Sequence, residues 1–142
     1  MLNKIIDAIA IKLNQEFGDS YEIYKESVKQ GLKEPCFFIV LLTANQKQVI
    51  GKRYFREQPF DIHYFPSTRD TKTEMLGVAD RLNDALEYII KDDDSFHGTK
   101  MNHEIVNDVL HFFVNYNFHV YKEIDVVDPM ETLTVESGLN KE

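Results

Sequence analysis

Cysteine occurs once in the 142-residue chain, at Cys36, so no internal disulfide can form. That excludes the cross-linked scaffold on which small secreted domains depend. Basic residues are in deficit: 16 Lys plus Arg stand against 24 Asp plus Glu, a formal charge of -8. Nucleic-acid binders gain affinity by neutralising phosphates, so this balance argues against a nucleic-acid partner and against an anionic membrane surface. Long apolar runs are also missing. Lys4, Asp7 and Lys12 interrupt the pattern from Met1 to Phe17 and leave no signal-peptide core, and no other run is long enough to span a bilayer. Synthesis in the cytoplasm is the expectation. The six glycines are scattered, and GxGxxG, P-loop and GxSxG arrangements are absent. No internal repeat, low-complexity tract or Gly/Ser linker divides the chain.

What remains is ordinary globular material: 43% apolar and 28% charged residues. The length suits one domain, expected over residues 1–125, with an extended or flexible tail over residues 126–142, where periodicity is lost.

Leu2, Ile5, Ile6, Ile9, Leu13 and Phe17 recur at steps of three and four, which predicts an amphipathic helix ended by Gly18. "SYEIYKESV" alternates weakly, as a short strand would, and "KQGLKEP" reads as a turn. "CFFIVLL", residues 36–42, is unbroken apolar sequence and predicts a central strand. "TANQKQVIG" is polar and reads as a hairpin loop. In "KRYFREQPFDIHYF", Tyr54, Phe60, Ile62 and Tyr64 share one strand face, and Arg53, Glu57, Asp61 and His63 share the other. Pro59 cannot donate to a ladder, so it predicts an edge or a bulge. Thr71 and Glu74 have capping-box spacing before a second helix through Met75, Val78, Ala79, Leu82, Leu86 and Ile89, expected to stop near Lys91. The segment 98–122 predicts a hairpin turning at Asn107-Asp108, with Val106 facing Val109, Glu104 facing His111 and His103 facing Phe112. The fold class is α+β: an antiparallel or mixed sheet of four or five strands, with both helices on one face.

Candidate chemistry is sparse. His111 and His119 lie eight residues apart on one strand face, roughly 26 Å, too far to share a metal ion. His111 is expected to pair with Glu104 across the strands. His103 falls on the apolar face and reads as a half-buried structural residue, while His63 and His97 carry no spacing signal. Cys36 begins the most apolar strand, where a thiol is an inert small hydrophobe rather than a nucleophile. "KDDDS" lacks the order of a calcium loop. Glu57 and Asp61 are about 13 Å apart along a strand, too far for a retaining carboxylate pair and wide for an inverting one. No catalytic, metal or cofactor site is expected.

A contact surface is better supported. Lys47, Lys52, Arg53 and Arg56 form a basic stretch interleaved with aromatics, suited to an acidic neighbour surface more than to nucleic acid. Phe55, Phe65, Phe113 and Tyr121 sit opposite the expected core face, and such an aromatic patch usually marks a protein interface. The candidate interface therefore comprises Lys47, Lys52, Arg53, Phe55 and Arg56, together with His111, Phe113, Asn115, Asn117, His119 and Tyr121. It predicts a homo-oligomer or a subunit of a larger assembly.

"VKQGLKEPCFF", "GKRYFREQPFDIHYFP" and "GTKMNHEIVNDVLHFFVNYNFHVYK" together resemble the small tail-terminator or tail-completion proteins of phages and prophages of Gram-positive bacteria, over residues 2 to about 125. The resemblance implies a small α/β subunit that forms a ring, typically a hexamer, on the head-proximal end of the tail tube. Such a ring stops tube polymerisation and offers a surface for head attachment. It implies assembly in the host cytoplasm, residence in the virion tail, and partners among tail-tube and head-joining proteins. No catalytic residues come with it, and an acidic ring lumen would let DNA pass without sticking. A neighbouring neck protein is the alternative within virion assembly. A small enzyme or ligand-binding domain using polar residues of the outer sheet face is the alternative from another class.

Overall fold

The computed structural model describes residues 2–25, 33–67 and 70–122. In chain order the elements are α1 (Leu2–Phe17), β1 (Glu22–Tyr24), β2 (Cys36–Leu41), β3 (Asn45–Ile50), β4 (Arg53–Glu57), β5 (Pro59–Phe65), α2 (Thr71–Ala85), β6 (Tyr88–Lys91), β7 (Asp94–Val106), β8 (Val109–Tyr116) and β9 (Phe118–Tyr121). A six-stranded sheet runs β1-β2-β5-β8-β7-β6, and a three-stranded sheet runs β3-β4-β9. Among the described residues only β1 and β2 pair in parallel; all other neighbours are antiparallel. The class is α+β with a mixed sheet, as expected, but with more strands.

Helix α1 forms where its apolar spacing predicts, burying Ile5, Ala8, Ile9, Leu13 and Phe17. Gly18 ends it at φ +90°, a conformation glycine adopts without steric cost, and its N–H reaches Asn14 O at 2.9 Å. The core joins these residues to Phe37, Ile39, Phe60, Ile62, Tyr64, Leu110, Phe112, Val114 and Tyr116 from one sheet face. Met75, Val78, Ala79 and Leu82 of α2 complete it. Burying a large apolar side chain of this kind contributes about 1.5–3 kcal/mol. Strand β2 is internal, between β1 and β5, although its second face, with Phe38 and Val40, is only half-buried.

Four expectations need correction. "TANQKQVIG" contains strand β3, fully exposed, with the turn at Gly51. The pairing Gln46↔Arg56 and Lys47↔Phe55 overrides its polar composition. Helix α2 ends at Ala85, not near Lys91. Tyr88, Ile89 and Ile90 favour extended backbone, and β6 pairs with β7 through a hairpin in which Asp92 takes φ 56°. Ile89 is buried as expected, but from a strand. The capping box does not form: Asp70 is the N-cap, without a side-chain bond, and the Glu74 carboxylate accepts from the Tyr64 hydroxyl and Ser67 N–H instead. Pro59 is not at an edge; β5 lies between β2 and β8.

Pro59 nonetheless marks a break. The chain leaves strand geometry at Gln58 and again at Asn117. Register survives both interruptions, with Arg56↔Phe118 on one side and Pro59↔Asn115 on the other. Gln58 N–H donates to Asn117 Oδ1 at 3.3 Å, and Tyr116 N–H donates to Gln58 O at 3.0 Å. The small sheet is therefore a continuation of β5 and β8 beyond a bend. The Asn107-Asp108 hairpin has both turn residues at positive φ, 51° and 60°, and the predicted register holds from Val106↔Val109 to His103↔Phe112. The predicted tail, residues 126–142, and the end of "SYEIYKESV" lie outside the described residues.

Candidate functional site

Alternation along β5 sends Phe60, Ile62 and Tyr64 into the core and Asp61, His63 and Phe65 to the other face. Along β8 the same rule buries Phe112 and Val114 and turns out His111, Phe113 and Asn115. Antiparallel pairing sets His63 directly opposite His111, and Asp61 opposite Phe113. The two imidazoles meet edge to face with centroids 4.4 Å apart. Asp61 Oδ2 lies 2.9 Å from His63 Nε2 and 3.0 Å from His111 Nδ1.

Asp61 is only 7% exposed, and its Oδ1 is buried with no hydrogen-bond partner. Burial is the largest influence on its acidity and pushes the carboxyl up. The hydrogen bonds from His63 and His111, with their charge effects, outweigh it and hold the group below its usual value. The ligand atoms of Asp61, His63 and His111 all lie within 4.8 Å of one another, a donor set that could hold a metal ion.

His63 is thus not a loose residue. It had no local signal because its partners come from a strand paired far along the sequence. His111 faces Glu104 as predicted, but its ring bonds Asp61. His103 is exposed rather than half-buried. His97 stacks on Tyr88 at 4.6 Å. Cys36 is fully buried, and burial, then Glu34 and Glu22, push its thiol up to about 11. That is the wrong direction for a nucleophile.

The remaining candidates divide between two places. His111, Phe113 and Asn115 lie on the outer face of the large sheet. Lys47, Arg53, Phe55, Arg56, His119 and Tyr121 lie in the small sheet, with Lys52 at its turn. There Phe55 packs on His119 at 5.0 Å, and the Arg53 guanidinium sits 5.9 Å from the Tyr121 ring centre. Arg56 Nε donates to Gln46 Oε1 at 2.7 Å. Asn117 is occupied at the bend. Two surface hollows, of 260 and 360 Å³, lie beside α1 and under the β3–β4 hairpin.

One sheet face is sealed by two helices, and the other carries aromatic and polar side chains in half-exposed positions. A face of this character usually marks a protein contact surface. Residues 4–128 match the family described as phage tail terminator protein, and the chain belongs to that family. Its role is structural, in completion of the phage tail. A search of curated proteins finds no match. Among the described residues, no helix is long and apolar enough to cross a membrane.

Proposed function

We propose that the chain assembles as a ring of six copies on the head-proximal end of the tail tube, ends tube polymerisation, and presents a surface to head-joining proteins. Family membership over residues 4–128 carries this reading. The formal charge of -8 suits a lumen through which DNA passes without adhering. Residues 1–125 form the ring-building domain. Assembly takes place in the host cytoplasm, and the ring ends in the virion tail.

The contact surface is the outer face and the small sheet. Tyr121 is 71% exposed, Ile50 is 73% exposed, and Phe113 lies half-exposed beside His111. Lys47, Lys52, Arg53 and Arg56 add cationic groups that suit an acidic neighbouring copy or tube subunit.

Mixing the protein with polymerising tail tubes tests the reading. Tubes shorten in proportion to the protein added, and ring-shaped particles sit at tube ends under negative stain. Tube lengths unchanged at saturating protein, with no end binding, would sink it. Phe113→Glu and Tyr121→Glu should abolish ring formation while leaving the far-ultraviolet circular dichroism spectrum intact.

A further inference from the structure

We infer that Asp61, His63 and His111 form a binding site for a divalent transition metal of the zinc class, each residue giving one ligand and a fourth position remaining open. This goes beyond tail completion and does not depend on ring formation.

Four observations converge. The donor set is two imidazole nitrogens and one carboxylate oxygen, which suits zinc or a neighbouring transition metal rather than calcium or magnesium, which prefer all-oxygen shells. The spacing also fits. A tetrahedral ion with bonds of about 2.0–2.1 Å holds its donors roughly 3.3 Å apart. Here the carboxylate oxygen already lies 2.9 and 3.0 Å from the two ring nitrogens. All three donor atoms lie within 4.8 Å of one another, so side-chain rotations alone bring them to that spacing.

The third observation is the orphaned oxygen. Asp61 directs Oδ2 at both rings, while Oδ1 is buried and unpartnered. A buried carboxylate normally has its lone pairs satisfied. A dication beside it compensates both oxygens through charge, whichever one coordinates. The fourth is rigidity. The ligands stand on two paired strands inside the sheet, not on loops, so their backbone positions are fixed before any ion arrives.

Binding replaces two N–H donors with two nitrogen lone pairs. A neutral ring does this by carrying its proton on the other nitrogen, and a protonated ring releases one proton to solvent. Glu104 stands opposite His111 from β7, on the same sheet face. The Phe113 ring stacks near His111 at 6.4 Å and forms one apolar wall.

The full-length protein, stripped with a chelator and dialysed, is titrated with Zn²⁺ in competition with a chromophoric chelator, and separately with Co²⁺. One ion binds per chain, and bound Co²⁺ gives the intense visible absorption of a four-coordinate site. His63→Asn and His111→Asn each weaken Zn²⁺ binding by about 100-fold or more, beyond the loss typical of an outer-shell partner. His97→Asn and His119→Asn leave affinity unchanged. Nitrogen NMR of the unsubstituted protein needs no variant: His63 Nε2 and His111 Nδ1 shift on adding Zn²⁺. Equal affinity in His63→Asn and the parent, or shifts confined to His97, His103 and His119, would overturn the site and leave a hydrogen-bonded triad only.

Discussion

His63 and His111 face each other across β5 and β8, ring centroids 4.4 Å apart, with one carboxylate oxygen of Asp61 touching both. The contact exists because antiparallel register makes the two residues direct partners on the face away from the helices. Asp61 reaches them from two positions along β5, where successive same-face residues lie within side-chain reach.

Replacing Asp61 with Asn in the metal-free protein removes the charge that both imidazoles engage. The structure predicts a loss of about 1–3 kcal/mol, the range for breaking a buried, charge-assisted interaction. Urea unfolding should show a lower midpoint at unchanged slope. An unchanged midpoint would mean that the triad contributes nothing to folding.

Gly98 offers a sharper steric test. A Cβ there would stand 2.6 Å from Leu86 O, 2.8 Å from Val114 Cγ2 and 3.2 Å from Tyr116 Cε1. The first of these is backbone, at the end of α2, and cannot rotate aside. Gly98→Ala should cost about 1–3 kcal/mol through overpacking, read as a lower melting temperature. Gly77→Ala, with open space around it, should not destabilise and serves as the control.

Alkaline pH should weaken the fold through Tyr116 and Tyr64. Burial pushes both hydroxyls well above the ordinary tyrosine value, and Glu74 adds to the effect at Tyr64. In the unfolded chain these groups ionise near pH 10, so stability is full below about pH 10 and falls as pH rises above it. The limiting slope for Tyr116 alone is about 1.4 kcal/mol per pH unit. Tyr116→Phe removes that slope. It also loses the 2.7 Å hydrogen bond to Leu86 O, at a cost of about 1 kcal/mol near neutrality. Urea midpoints of the two proteins from pH 7 to pH 11 check both effects.

Cys36 should be chemically silent until the protein unfolds. Its thiol is pushed up to about 11 and is fully buried. Labelling with a disulfide reagent at pH 8 should run roughly 100-fold slower or more than in denaturant. Rapid native labelling would show that β2 opens readily.

Much of this architecture is local and legible in the chain. The apolar steps of α1 need only helical periodicity, and they bury Ile5, Ile9, Leu13 and Phe17 as spaced. Asn107-Asp108 tolerates positive φ at both positions, so it fixes the turn and, with it, the register of β7 against β8 near the turn. Strand β3 was illegible because its six residues are all exposed and their order comes from pairing with β4. Strand β6 was hidden because Ile89 satisfies helical spacing as well as it satisfies a strand.

The candidate site divides the same way. Alternation by itself placed Asp61 and His63 on one face of their strand, and His111 on one face of its own. Periodicity of two is a property of each strand alone. That the two faces are the same face, and that residue 63 stands opposite residue 111, is a property of non-local pairing, which no local pattern encodes. A one-residue slip of β5 would have turned Asp61 and His63 into the core and away from His111. The amino-acid sequence therefore determined which residues point outward. Only the tertiary structure decided which of them meet.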